Sequence, residues 1–183
     1  PLAAATDEIP GALGTLMTEA LSKIAALDAQ ALESVLQRAA TTVGSDSVIE
    51  LFLFPLLAEV GHRWSQGVVG IAEEHLLSTV ARGYLSGRLM SRAPEPDAPV
   101  AVIAAPAGEL HDVGCLAAAV WVQEAGRRVI TLGANTPPDS VAEAVTASGA
   151  SLVIVVVAVE ELLTDLMMQL DSLHAQTQPD VHH

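Results

Sequence analysis

Aromatic side chains are nearly absent from this sequence: two Trp, one Tyr and two Phe, 3% of the chain. A core with so few rings must be filled by small and branched aliphatics, and hydrophobic residues as a class make up 51%. There is a single cysteine, Cys115, so no disulfide can form within the chain. At the expected start of a helix, Cys115 reads as a small packing residue rather than a nucleophile. Cationic residues are also scarce. Eight Lys and Arg stand against 22 Asp and Glu, for a formal net charge of −14. That balance argues against direct nucleic-acid binding, which needs cations to neutralise phosphates, and most of the acids read as solvated surface. Long apolar runs are missing too. A run such as 152–159 falls far short of the roughly 20 residues of a membrane-spanning helix, and no charged-then-apolar secretory start is visible. The expectation is a soluble cytoplasmic protein with no membrane partner.

What is present falls into two patterns. Over about 8–93 the apolar spacing is helical throughout. Leu13, Leu16, Met17, Ala20, Leu21 and Ile24 predict a first helix closing near Leu27 and Asp28, and Leu32, Val35, Leu36 and Ala39 mark one face of a second, from about Ala29 to Gly44. Ser45, Asp46 and Ser47, supported by Glu50, form an N-cap cluster for a third helix over about 48–64. Pro55 lies inside it and predicts a kink or local break. Gly67 and Gly70 mark the next turn, and a fourth helix runs from about Ile71 to Met90. Four helices with short connections suit a bundle.

Residues 93–99 read Ala-Pro-Glu-Pro-Asp-Ala-Pro, a stiff and extended linker. Beyond it the period changes. Short β-branched runs at 100–105, 128–132 and 152–159 are separated by helical stretches at 115–125 and 138–148, and a third helix is expected over about 160–175. Nearly continuous apolar strands alternating with helices predict a parallel sheet covered on both faces. The fold class is thus α/β: a four-helix bundle over 1–93, a Pro-rich linker over 94–99 and a Rossmann-like domain over 100–183. His182 and His183 are set aside from this reading.

Two motifs carry chemistry. Gly108-Glu109-Leu110-His111-Asp112-Val113-Gly114 lies between the first strand and its helix, on the sheet edge where open α/β folds bind ligands. Its Glu-x-His-x-x-Gly spacing supplies an imidazole and a neighbouring carboxylate, Glu109 or Asp112, to fix the ring's tautomer. It also supplies a glycine, Gly114, where something bulky can approach the backbone. The plain alternative is an exposed loop histidine. In the helical half, Trp64 is followed after nine residues by Glu74-His75, and antiparallel helices joined by a short loop bring such ends together. A flat aromatic body beside hydrogen-bonding groups suits a large cofactor. Taken singly, these three also read as a boundary aromatic, a helix-start acid and a surface histidine. There is no Gly-x-x-x-x-Gly-Lys loop, no Gly-x-Gly-x-x-Gly and no nucleophile elbow.

The Glu-x-His-x-x-Gly loop resembles the cobalamin-binding signature Asp-x-His-x-x-Gly, with Glu109 in place of Asp. A helical domain bearing Trp-x9-Glu-His, then a linker, then this loop resembles the light-sensing cobalamin-binding region of MerR-type photoreceptor regulators, or a stand-alone relative without the DNA-binding domain. The resemblance covers the chain from the bundle to about Glu161. It implies that His111 is the metal ligand, on the lower face of cobalamin, and that Trp64, Glu74 and His75 border the upper axial group. Val113 and Gly114, Gly133 and Thr136 of a loop at 133–136, and Val156 would lie along the nucleotide tail.

Adenosylcobalamin is the implied form, with methyl- and hydroxocobalamin as the others such a site takes. Light would release a contact between bundle and Rossmann domain. A homo-oligomer (a dimer or larger) and a protein partner or attached effector domain are implied, and no enzyme activity. Three positions depart from the pattern. Ser65 follows Trp64 where some members have a histidine that captures cobalt after illumination, leaving His62 or His75 to substitute. The usual Ser-x-Leu reads Val156-Val157-Ala158, which removes a hydroxyl contact. No winged-helix stretch is found, so regulation is expected to act through a partner or an attached domain. The sheet domain also reads as incomplete at its C-terminus, two strands short of the cobalamin-type pattern. The competing readings are a corrinoid methyl-carrier protein of a methyltransferase system and a cofactor-free interaction module.

Overall fold

The helical spacing of the first half produces α1 (Gly11–Ala25), α2 (Ala29–Val43), α3 (Phe54–Ser65) and α4 (Ile71–Ser91). The structure, a computed structural model, describes residues 11–158, 169–174 and 176. The chain divides into two compact units, 1–84 and 85–183, and the division falls within α4. Among the described residues no helix is long and apolar enough to cross a membrane.

In the first unit the predicted apolar faces form the core, apart from Leu21, which is only partly buried. Leu13, Leu16, Met17, Ala20 and Ile24 of α1 and Leu32, Val35, Leu36 and Ala39 of α2 are all buried. Asp28 caps α2, its carboxylate accepting from the Ala31 N–H at 3.0 Å. The interruption expected at Pro55 takes a definite form. Residues Ile49–Leu53 make a π-helical turn, in which the Phe54 N–H donates to the Ile49 carbonyl, and Pro55 then sits in the first turn of α3. A proline has no N–H to donate, and the first helical turn is where none is required.

The second unit is built on β1 (Val100–Pro106), β2 (Arg128–Thr136) and β3 (Leu152–Val155), with α5 (Val113–Glu124) and α6 (Pro138–Ser148) between them. All pairings are parallel and the strand order is β2-β1-β3. Alternate residues of the buried central strand face opposite layers. Val102 and Ala104 pack with Val141 and Ala142 of α6 and with Leu173; Ile103 and Ala105 pack with Cys115 and Ala119 of α5. Both faces are covered, as the apolar strands require. Helix α6 begins with Pro138 and ends at Gly149, whose φ of 64° makes the left-handed cap.

Two expectations are corrected. Residues 133–136 are the continuation of β2 rather than a loop after it. Its pairing with β1 persists to Pro106↔Thr136 through two register shifts, with Gly133 at φ 82°, and bulges of this kind let one strand outrun its partner. The third strand ends at Val155; the Val156 N–H still donates to the Ala104 carbonyl at 2.9 Å, and 156–158 are no longer regular strand. The helix expected over 160–175 is seen at 169–174, and its remainder, with Val159, lies outside the described residues.

Candidate functional site

The loop after β1 is held by contacts that converge on one side chain. Glu109 is fully buried while the His111 side chain is 61% exposed. Glu109 Oε1 lies 2.6 Å from His111 Nδ1 and accepts from the His111 backbone N–H at 2.9 Å. The other oxygen, Oε2, accepts from the Ala158 N–H at 2.8 Å. A carboxylate only accepts, so Nδ1 carries a ring hydrogen, and in the neutral ring the lone pair is then on Nε2. That is the tautomer and orientation a metal-ligating histidine needs, with the buried carboxylate raising its donor strength. Of the two carboxylates left open by the sequence, Glu109 makes this bond to the ring. Asp112 sits at the N-cap position of α5, and its carbonyl accepts from Leu116.

The remaining residues of the loop motif take varied roles. Val113 opens α5 and is buried. Gly114 is where a side chain would not fit: a Cβ there would stand 2.9 Å from Val156 Cγ1. The bulky group that approaches this glycine is therefore a side chain of the protein's own third-strand segment. Thr136 is buried at the end of β2, and its hydroxyl donates to the Gly133 carbonyl at 3.3 Å. Cys115 is buried, and burial, reinforced by the nearby Asp112 and Glu109 charges, pushes its thiol up to about 11. It is a packing residue, as expected.

Three contacts were not foreseen from the motif. Asn135 accepts from the Gly108 N–H through Oδ1 at 2.9 Å and donates its own N–H to the Glu109 carbonyl at 2.8 Å. Gln169 makes a reciprocal pair with the Ala107 backbone, accepting at 3.0 Å and donating at 3.1 Å. The Ala158 N–H is the third. An Asn two residues after Gly133, near a strand end, was the available signal, because Asn tolerates left-handed backbone.

In the first unit, Trp64 lies near the end of α3 and is 52% exposed. Glu74 and His75 lie in the first turn or so of α4. Glu74 Oε2 is 2.6 Å from His75 Nδ1, and Glu74 Oε1 accepts from the Ser78 hydroxyl at 2.6 Å. Ser78, one turn beyond Glu74, was missed although helical i,i+4 spacing points to it. The carboxylate again joins a neighbouring imidazole on Nδ1, and His75 is 71% exposed. Among the described residues no group of three or more His, Cys, Asp or Glu is placed to hold a metal by itself.

Comparison with known proteins places these features in context. Residues 16–86, from within α1 to within α4, match the B12 binding domain family. The chain is 34% identical over 116 residues to the HTH-type transcriptional repressor CarA of Myxococcus xanthus, covering 63% of this chain and 38% of CarA. It is 32% identical over 127 residues to the HTH-type transcriptional repressor CarH of the same organism, covering 69% of this chain and 42% of CarH. It thus spans about two fifths of the length of these relatives. The monomethylamine corrinoid protein of Methanosarcina barkeri shares the fold, with a TM-score of 0.70 at 15% identity over 91% of this chain and 81% of that one. Residues 16–86 therefore belong to the B12 binding domain family, within a chain that resembles the repressors CarA and CarH over about two thirds of its length.

Proposed function

We propose that this chain is a cobalamin-binding light-sensor module that regulates a partner. The observation that carries the reading is the pair formed by an exposed imidazole and a fully buried carboxylate, His111 Nδ1 on Glu109 Oε1 at 2.6 Å. Imidazole is a suitable cobalt donor, and this ring presents Nε2 outward with its tautomer fixed. The donor set therefore fits the lower face of a corrinoid. When bound, the cofactor supplies a light-labile cobalt–carbon bond, chemistry that belongs to the cofactor rather than to the protein.

The protein's share is to bind, orient and respond. His111 is the proposed metal ligand and Glu109 the group that orients it. Trp64, Glu74 and His75 are proposed to border the upper axial group, with Glu74 fixed by Ser78. Val113, Gly114, Gly133, Thr136 and Val156 are proposed along the nucleotide tail. The similarity to CarA and CarH supports a regulatory role over an enzymatic one, exerted as a homo-oligomer on a protein partner or attached effector domain. Adenosylcobalamin is the proposed form.

Absorption spectra in the dark and after green light test this, for wild type and His111→Ala mixed with adenosylcobalamin. A histidine-ligated spectrum that converts under light and is lost in H111A is the expected result. Tight binding with no lasting light-driven change would instead select a methyl-carrier function, and no binding at all would overturn both.

A further inference from the structure

We propose that Asn135, at the end of β2, is a positioning residue for His111. The inference rests on the reading of His111 as the cobalt ligand and adds a residue from a different strand to its support. The loop that carries His111 contains no helix or strand between the end of β1 and Val113; one local turn bond, from the Glu109 N–H to the Pro106 carbonyl at 3.0 Å, shapes its start, and the rest of its hold comes from hydrogen bonds to other elements. Asn135 makes two of them at adjacent loop residues. Its side-chain Oδ1 accepts from the Gly108 N–H at 2.9 Å, and its backbone N–H donates to the Glu109 carbonyl at 2.8 Å.

Gly108 immediately precedes the Glu-x-His-x-x-Gly motif, and Glu109 opens it. Gly108 is held at φ 91°, a conformation that only glycine adopts freely. Glu109 is the fully buried residue whose carboxylate reaches His111 on one side and Ala158 on the other. Gripping the 108–109 backbone therefore sets where that carboxylate starts, and so where the imidazole is held.

Asn135 itself has a φ of 53°, in the left-handed region that few residues other than Gly, Asn and Asp tolerate. This makes the required residue type narrow. Glycine would keep the backbone angle and the N–H but lose the acceptor for Gly108. Aspartate would keep the angle, the N–H and the acceptor. A residue with neither property would lose both hydrogen bonds or strain the strand end.

The test compares Asn135→Gly and Asn135→Asp with wild type and His111→Ala. In the cofactor-free protein, ring ¹⁵N shifts at a single neutral pH report the His111 tautomer. Wild type and N135D are expected to hold the Nδ1–H form, and N135G to average between the two. With hydroxocobalamin added, N135G is expected to bind about tenfold more weakly, as loss of a group that orients a metal ligand does. The histidine-nitrogen splitting in the electron paramagnetic resonance spectrum of its reduced cobalt(II) form should weaken in parallel, and N135D should restore both.

An N135G protein that matches wild type within about twofold in affinity, with an unchanged ring tautomer, would overturn the proposal. Should N135G fail to fold, Asn135→Ser, whose shorter side chain does not span to Gly108, is read against the same criteria. If wild type shows no histidine-dependent cobalamin signal, the ligand reading fails, and the cofactor-free ring measurement still decides whether Asn135 positions His111.

Discussion

Replacing Glu109 by Gln removes one charge and almost no volume from the centre of the site. The groups that donate to the carboxylate include the His111 ring N–H at 2.6 Å, the Ala158 backbone N–H at 2.8 Å and the His111 backbone N–H at 2.9 Å. An amide offers one accepting oxygen and one donating nitrogen. If the oxygen stays toward His111, the amide nitrogen faces the Ala158 N–H, and an unsatisfied buried donor costs about 1–3 kcal/mol. The two bonds that remain lose their charge assistance, about 1 kcal/mol each. If the amide turns the other way, the His111 backbone N–H is orphaned and the ring must carry its hydrogen on Nε2, where it cannot ligate. Either arrangement costs about 4 kcal/mol.

The assay is urea unfolding of the cofactor-free protein in a Trp64→Phe background, so that Trp121 on α5 reports the second unit. At about 2.5 kcal/mol per molar of urea, the midpoint should fall by about 1.5 M. The same variant should fail to give the histidine-ligated cobalamin spectrum. A midpoint within about 0.3 M of the parent, close to the precision of such fits, would refute the assignment of Glu109 as the hub of this loop.

Gly114→Ala places a Cβ 2.9 Å from Val156 Cγ1; overpacking of about 1–3 kcal/mol, offset by up to about 1 kcal/mol of helix propensity, leaves net destabilisation of about 1–2 kcal/mol. Combining it with Val156→Ala should cost less than the sum of the two single changes in thermal melts, and strict additivity would show that this contact is not the cause. Ser78→Ala removes the 2.6 Å hydrogen bond to Glu74 and should lower the melting temperature of the helical unit by a few degrees, about 1 kcal/mol; an unchanged melt would show the bond to be energetically idle. The Cys115 thiol is raised in the fold from its ordinary 9.0 to about 11. The folded protein therefore holds the proton more tightly, and the contribution is fully present below pH 9 and lost as pH rises through 11. Relative to Cys115→Ala, wild type should lose stability across that window in urea midpoints taken at successive pH values, and parallel curves would contradict the burial of a protonated thiol.

The features that the sequence determined by itself are those set by neighbours a few residues apart. The α1 and α2 faces, the break near Asp28, the α6 bounds from Pro138 to Ser148, and the apolar run of β1 all depend on local periodicity and local backbone preference. That His111 has a neighbouring acid to pair with, Glu109 or Asp112, was legible for the same reason, as was the Trp64, Glu74 and His75 spacing. Tertiary structure decided which acid holds the ring, because Glu109 is fixed by Ala158, 49 residues further on. It turned residues 133–136 into strand, because a β-strand's length is set by the partner it pairs with and here β1 continues to Pro106. It showed that Gly114 accommodates Val156, and it brought Asn135 onto Gly108 across 27 residues. Short-range propensity leaves a local mark that can be read along the chain, whereas hydrogen bonds and packing between distant segments exist only once the chain has closed on itself.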